Sequence, residues 1–247
     1  MQANKFPARR GWVWLQAGFA LWRSAPLALT GSAMTMLMCL LLTMMIPGIG
    51  PLLALLLVFP LQVGMFLVCS SWAQNHSAHP KLLFACFTKQ RFPGLLALTG
   101  INFLGMLLCF MLAVMVCNFD LGSFTELAAK GSTELPPALQ AQLERVVRWT
   151  SLFFIPLQLA SFFAAPLMAL QRTPLIKALF FSFVACWRNL GALLVMQLIL
   201  GLLGILIQLL ASVLGLLFGI GLMVLVPVLC ATLYSCARDI FGEWPTA

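Results

Sequence analysis

Few residues in this chain have types and spacings that could do chemistry. Arg23, Arg91 and Arg188 each stand between a short amphipathic segment and a long apolar run, in the stretches FALWRSAPLALTG (19–31), CFTKQRFPGLLALTG (86–100) and ACWRNLGALL (185–194). A guanidinium binds phosphate bidentately, so the three arginines are candidate contacts for lipid or anion headgroups. If the stretches are copies of one unit, the arginines form a ring at one membrane face. Gln62 and Gln158 each follow two residues after a proline set in an apolar run, FPLQ at 59–62 and IPLQ at 155–158. A proline inside a helix frees the carbonyl four residues back, here Leu56 and Leu152. A glutamine amide could satisfy that carbonyl or join neighbouring helices, which makes Gln62 and Gln158 candidate polar intramembrane contacts.

Other groupings carry less. Cys69, His76, His79 and Cys86 are symmetrically spaced, but C-x6-H-x2-H-x6-C is not a zinc pattern and both cysteines fall in apolar segments. Met34, Met36, Met38, Met44 and Met45 with Cys39 offer soft ligands for Cu(I), although the run reads equally as apolar filling. No nucleophile elbow, phosphate loop or dinucleotide fingerprint occurs. The expectation is therefore no metal, no cofactor, no catalytic residues and no enzymatic activity.

Composition sets the elements that must position these residues. Of 247 residues, 62% are hydrophobic and 8% are charged, against roughly 25% charged in soluble domains. The fold class expected is an all-α polytopic membrane protein. The net charge of +8 comes from basic residues dispersed at the ends of apolar runs, the habit of a membrane protein rather than a nucleic-acid footprint. No small-residue cleavage site follows the N-terminal basic residues, so no cleavable signal peptide is expected. The eight cysteines read as reduced, small apolar residues.

Six apolar runs are long enough to cross a bilayer core, which takes about 20 residues: 26–46, 52–72, 93–117, 150–170, 189–210 and 217–236. Amphipathic helices are expected to lie in the interface at 9–24, 81–91 and 174–188. In the first, Trp12, Leu15, Phe19 and Trp22 make the apolar face. PGIGP at 47–51 is a tight turn, and another glycine-bearing turn falls around 211–219. Residues 118–149 are the one extended polar segment and hold four of the six acidic residues. Its second half, 136–149, reads as a helix running straight into the fourth span, with Glu144 and Arg148 paired at i,i+4.

The even spans carry Pro60, Pro156 and Pro227. From Arg23 to Pro60, Arg91 to Pro156 and Arg188 to Pro227 the distances are 37, 65 and 39 residues, and from Pro60 to Arg91 and Pro156 to Arg188 they are 31 and 32. This is the pattern of one membrane domain, 1–247, built from three helical-hairpin units at about 9–75, 76–172 and 173–241, each preceded by an amphipathic helix. The second carries the insertion 118–149. Eleven Lys and Arg lie on the side of the termini and three opposite. The positive-inside rule then puts both termini in the cytoplasm, the insertion outside it, and the three units parallel.

The run RRGWVWLQAGFALWR at 9–23, with IPGIGPLLALLL at 46–57, resembles a family of proteobacterial inner-membrane proteins of unknown function with six spans. The resemblance implies a location in the bacterial inner membrane and supplies no catalytic residues. Within the spans there is no Asp, Glu, Lys or His, residues that proton and ion pathways need. Two functions fit. The first is a membrane scaffold or accessory subunit, with lipids and other membrane-protein subunits as partners. The second is a passive carrier or lipid-handling protein with a pseudo-threefold central cavity.

Overall fold

The computed structural model describes residues 4–75, 79–88, 90–122, 124–125, 136–214 and 217–242. Among them the chain is helical: α1 (Arg10–Ser24), α2 (Pro26–Met44), α3 (Gly50–Asn75), a 3-10 turn (Pro80–Phe84), α4 (Phe92–Cys117), α5 (Pro137–Ser161), α6 (Ala164–Gln171), α7 (Leu175–Arg188), α8 (Leu190–Leu214) and α9 (Leu217–Phe241). Six stretches are long and apolar enough to cross a membrane: Pro26–Met44, Gly50–Gln74, Phe92–Cys117, Pro137–Gln171, Leu190–Leu210 and Gly221–Phe241. They fall where the apolar runs of the sequence predict them. At 1.5 Å per residue, the 19 residues of α2 reach about 28 Å. That is close to the hydrocarbon thickness of a bilayer.

The chain forms two compact units, residues 1–99 with 160–247, and residues 100–159. In the larger unit α1 lies along α9 and against α8, and α2 and α3 form a hairpin. Gly48, at φ +79°, makes the bend between them, a left-handed conformation that costs glycine little. The 3-10 turn seats on α3, α3 also meets α6, α6 packs on α7, and α9 reaches back to α2 and α3.

Glycine decides how closely two of these pieces approach. A Cβ on Gly18 would strike the Thr232 hydroxyl and lie 2.6 Å from the Thr232 backbone nitrogen. On Gly64 it would strike the Leu83 carbonyl and lie 2.7 Å from the Leu83 Cα.

The smaller unit holds most of α4 and nearly all of α5. Ala113, Val114, Phe119, Leu139 and Val146 are buried together, with Phe110, Leu143 and Phe153 packed around them. Asn118, at φ +46°, ends α4 and turns the chain. On the outer side of α5, Arg148 pairs with Glu144 at 3.3 Å, as the spacing predicts.

Two expectations change. The helix expected at 81–91 does not form: Pro80–Phe84 is a 3-10 turn, and the described residues after it, 85–88 and 90–91, are turn and irregular chain. Pro80 starts the turn, and burying Leu83 against α3 holds one short turn without supporting a longer helix. The fourth span is interrupted, α5 ending at Ser161 and α6 starting at Ala164. Pro166 cannot donate to a preceding turn, so the helix restarts with Pro166 inside the first turn of α6, where that donor is not needed. The Phe163 N–H released by the break donates to the Ser182 hydroxyl of α7 at 2.9 Å.

On α1, Gly11, Trp14, Leu15 and Gly18 are buried against the protein, and the glycines let the backbones come together. Of the apolar face expected from the sequence, Leu15 is buried and Trp12 and Phe19 are exposed.

Candidate functional site at the helix ends

The densest polar cluster in the larger unit joins the two ends of the chain. One oxygen of Asp239 near the end of α9 accepts from Arg10 Nε at 2.9 Å and from Trp14 Nε1 at 2.8 Å, and the second Arg10 nitrogen lies 2.8 Å away. Arg10 also sits over the Phe6 ring, 5.3 Å from its centroid, and Phe6 meets Trp14 edge-on.

Asn189, between α7 and α8, pins the leading strap. Its side-chain oxygen accepts from the Phe6 N–H at 2.8 Å, and its amide donates to the Asn4 carbonyl at 2.8 Å. The Asn4 N–H in turn donates to the Ile240 carbonyl.

Beside this cluster is a recess of about 480 Å³ lined by Arg10, Trp14, Trp72, Tyr234 and Arg238, among others. Tyr234 is buried, and among the described residues its hydroxyl has no hydrogen-bond partner. Trp72 Nε1 donates to Ser24 Oγ at 2.7 Å. The recess combines two cations, one carboxylate and indole rings, a chemistry suited to the polar boundary of a membrane. Among the described residues no group of three His, Cys, Asp or Glu could hold a metal ion. His76, part of the symmetrical Cys/His pattern, lies outside them.

The sequence-predicted residues are placed on separate elements. Arg23 and Arg188 are in the last turns of α1 and α7, both exposed. Arg91, half-buried, precedes α4 and lines a different recess of about 470 Å³ together with Arg172; Arg23 and Arg188 are not in its wall. Beside Arg91, burial pushes the Cys86 thiol up to about 11, with the Arg91 charge and hydrogen bond pulling the other way. Cys86 therefore stays a neutral thiol at physiological pH.

Gln62 is half-buried and lines a space of about 30 Å³ with Phe66, Phe163 and Cys230. A space that size admits about one water and no solute. Gln158 is exposed on α5.

Asp239, Trp14, Tyr234 and Arg172 were missed by sequence reasoning. One weak signal was available: Tyr234 is the sole tyrosine.

No family model matches the chain, and no solved structure matches it. The chain is 30% identical over 197 residues to the probable inner membrane protein BTH_II0599 of Burkholderia thailandensis, covering 78% of this chain and 72% of that protein. The chain belongs to that protein's family. This agrees with the resemblance carried by residues 9–23 and 46–57. With six apolar helices of spanning length, this member of the family is an integral, multi-pass inner-membrane protein.

Proposed function

We propose that the protein is a scaffold or accessory subunit of a larger inner-membrane assembly, with no catalytic role of its own. The observation that carries this reading is where the ionisable groups stand. Asp, Glu, Lys, Arg and His are missing from the six apolar runs of the sequence, and the charged residues carried on α5 and α9 (Glu144, Arg145, Arg148, Arg238 and Asp239) stand outside those runs; the space beside Gln62 is too small for a solute. Meanwhile α4 and α8 turn Leu104, Leu108, Leu198 and Leu202 outward, leaving broad apolar faces for lipid or for another subunit.

A photo-crosslinking amino acid at Leu104 and Leu108 of α4, one turn apart, should capture one and the same membrane protein in cells. Lipid adducts alone from both positions would refute the subunit reading. They would favour the lipid-handling alternative, which the amphipathic recess between α1 and α9 supports.

The three-unit organisation is part of this proposal. Pro60, Pro156 and Pro227 all lie inside helices, in α3, α5 and α9. Each short piece at the start of a unit docks on a helix that closes the unit before it: the 3-10 turn on α3, α7 on α6 and, completing a cycle, α1 on α9. In this reading α1 and α7 lie in the interface.

The positive-inside rule places both termini in the cytoplasm. Ser132→Cys should react with an impermeant thiol reagent outside intact cells and Ser77→Cys should not, on a cysteine-free background; both positions lie outside the described residues. Labelling of Ser77→Cys alone would invert the assignment.

A further inference from the structure

The recess that takes Arg91 lies where α4 begins and α6 ends. Both are ends of candidate spans, so the recess sits at the depth where hydrocarbon gives way to headgroups. Its wall holds Arg91, Arg172, Gln90 and Thr173, and small residues, Gly94 and Ala97, open the room. The Met168 methyl lies 3.1 Å from where a Gly94 Cβ would be, so a larger residue there would fill the space.

Among the described residues no carboxylate lines the recess and neither arginine belongs to an ion pair; Arg91 acts on the Cys86 thiol by its charge and a hydrogen bond. Arg172 holds φ +52° at the end of α6, a position where glycine would carry no Cβ penalty. The chain nonetheless places a guanidinium there. Two arginines in one wall, with no counter-charge among the described lining residues, make that wall cationic, and an anion would neutralise it.

We propose that Arg91 and Arg172 form a binding site for the headgroup of an anionic glycerophospholipid. The proposed site joins Arg91 to Arg172 rather than to Arg23 or Arg188. The phosphodiester accepts the guanidinium hydrogen bonds, and the acyl chains continue along the apolar flank past Met168 and Leu175. A phosphate ion offers the same oxygens to the arginines but has no use for the apolar flank, which is why the lipid is the ligand assigned.

Native mass spectrometry of the full chain in mild detergent, titrated with phosphatidylglycerol or phosphatidylcholine, tests this. The wild type should retain phosphatidylglycerol preferentially. The Arg91→Gln/Arg172→Gln variant should lose about tenfold in apparent affinity, and Arg23→Gln should behave as wild type. Size-exclusion and circular dichroism profiles establish that the double variant is folded; if it is not, Arg172→Gln alone, at an exposed position, carries the comparison. Three results would each overturn the proposal: undiminished retention in the folded variant, equal loss in Arg23→Gln, or inorganic phosphate binding as tightly as the lipid.

Discussion

Gly18→Ala and Gly64→Ala should each destabilise the protein by about 2–3 kcal/mol, whereas Gly31→Ala should be neutral or stabilise it by up to about 1 kcal/mol. The three substitutions are chemically identical and all sit in helices. The difference is what the added methyl meets. At Gly18 it meets the backbone of Thr232, at Gly64 that of Leu83, and at Gly31 nothing within 4 Å. A backbone atom cannot rotate away as a side chain can, so one element must move off the other. Van der Waals contact and the burial of Trp14 or Leu83 are lost with it. Reversible unfolding in mixed detergent–SDS micelles gives the free energies. Both glycines also mark places where a short piece docks on a helix of the preceding unit. A neutral result at one and a large loss at the other would count against the three-unit reading.

Asp239→Ala should cost about 2 kcal/mol, and most of that should come from Trp14 rather than from Arg10. The arginine side chain is 39% exposed and the aspartate 26%, so water screens their attraction and the ion pair adds less than about 1 kcal/mol. Trp14 is only 1% exposed, and removing its acceptor strands an indole N–H in a dry site, at about 1–3 kcal/mol. Asp239→Asn, which keeps an acceptor oxygen, should be milder than the alanine change. Trp14→Phe should suppress much of the loss when combined with Asp239→Ala. A double-mutant cycle in which Arg10→Ala carries the coupling instead would reverse this ranking.

The membrane class and the positions of the six long helices were legible because composition and run length answer to one constraint, the thickness of a hydrocarbon layer. The i,i+4 pair Glu144–Arg148 was legible because it is local. What failed was set by contacts far apart in sequence. Residues 81–91 have an amphipathic pattern, yet packing of Leu83 on Gly64 decides their shape. Which side of α1 meets the protein was not read from the sequence at all, because glycines choose it and carry no hydropathy signal of their own. The break at 161–164 has a local cause in Pro166, but the partner that tolerates it, Ser182, is 19 residues on. Of the two arginines proposed to hold a lipid headgroup, Arg91 was singled out from its place before an apolar run. Its companion Arg172 required knowing that the start of α4 and the end of α6 share a recess.

The contact between Trp14 and Asp239 joins residues 225 positions apart. A ribosome adding about 5–20 residues per second needs roughly 10–50 s to travel from one to the other. During that interval the first helix has been made and its docking surface has not. Its glycine-lined side, with Arg10 and the Trp14 indole, must be held by lipid headgroups, by the insertion machinery or by a chaperone until the last span is released. Truncating the message before α9 should therefore yield a nascent chain whose N-terminal segment is open to protease. The completed polypeptide closes that segment in a single late step.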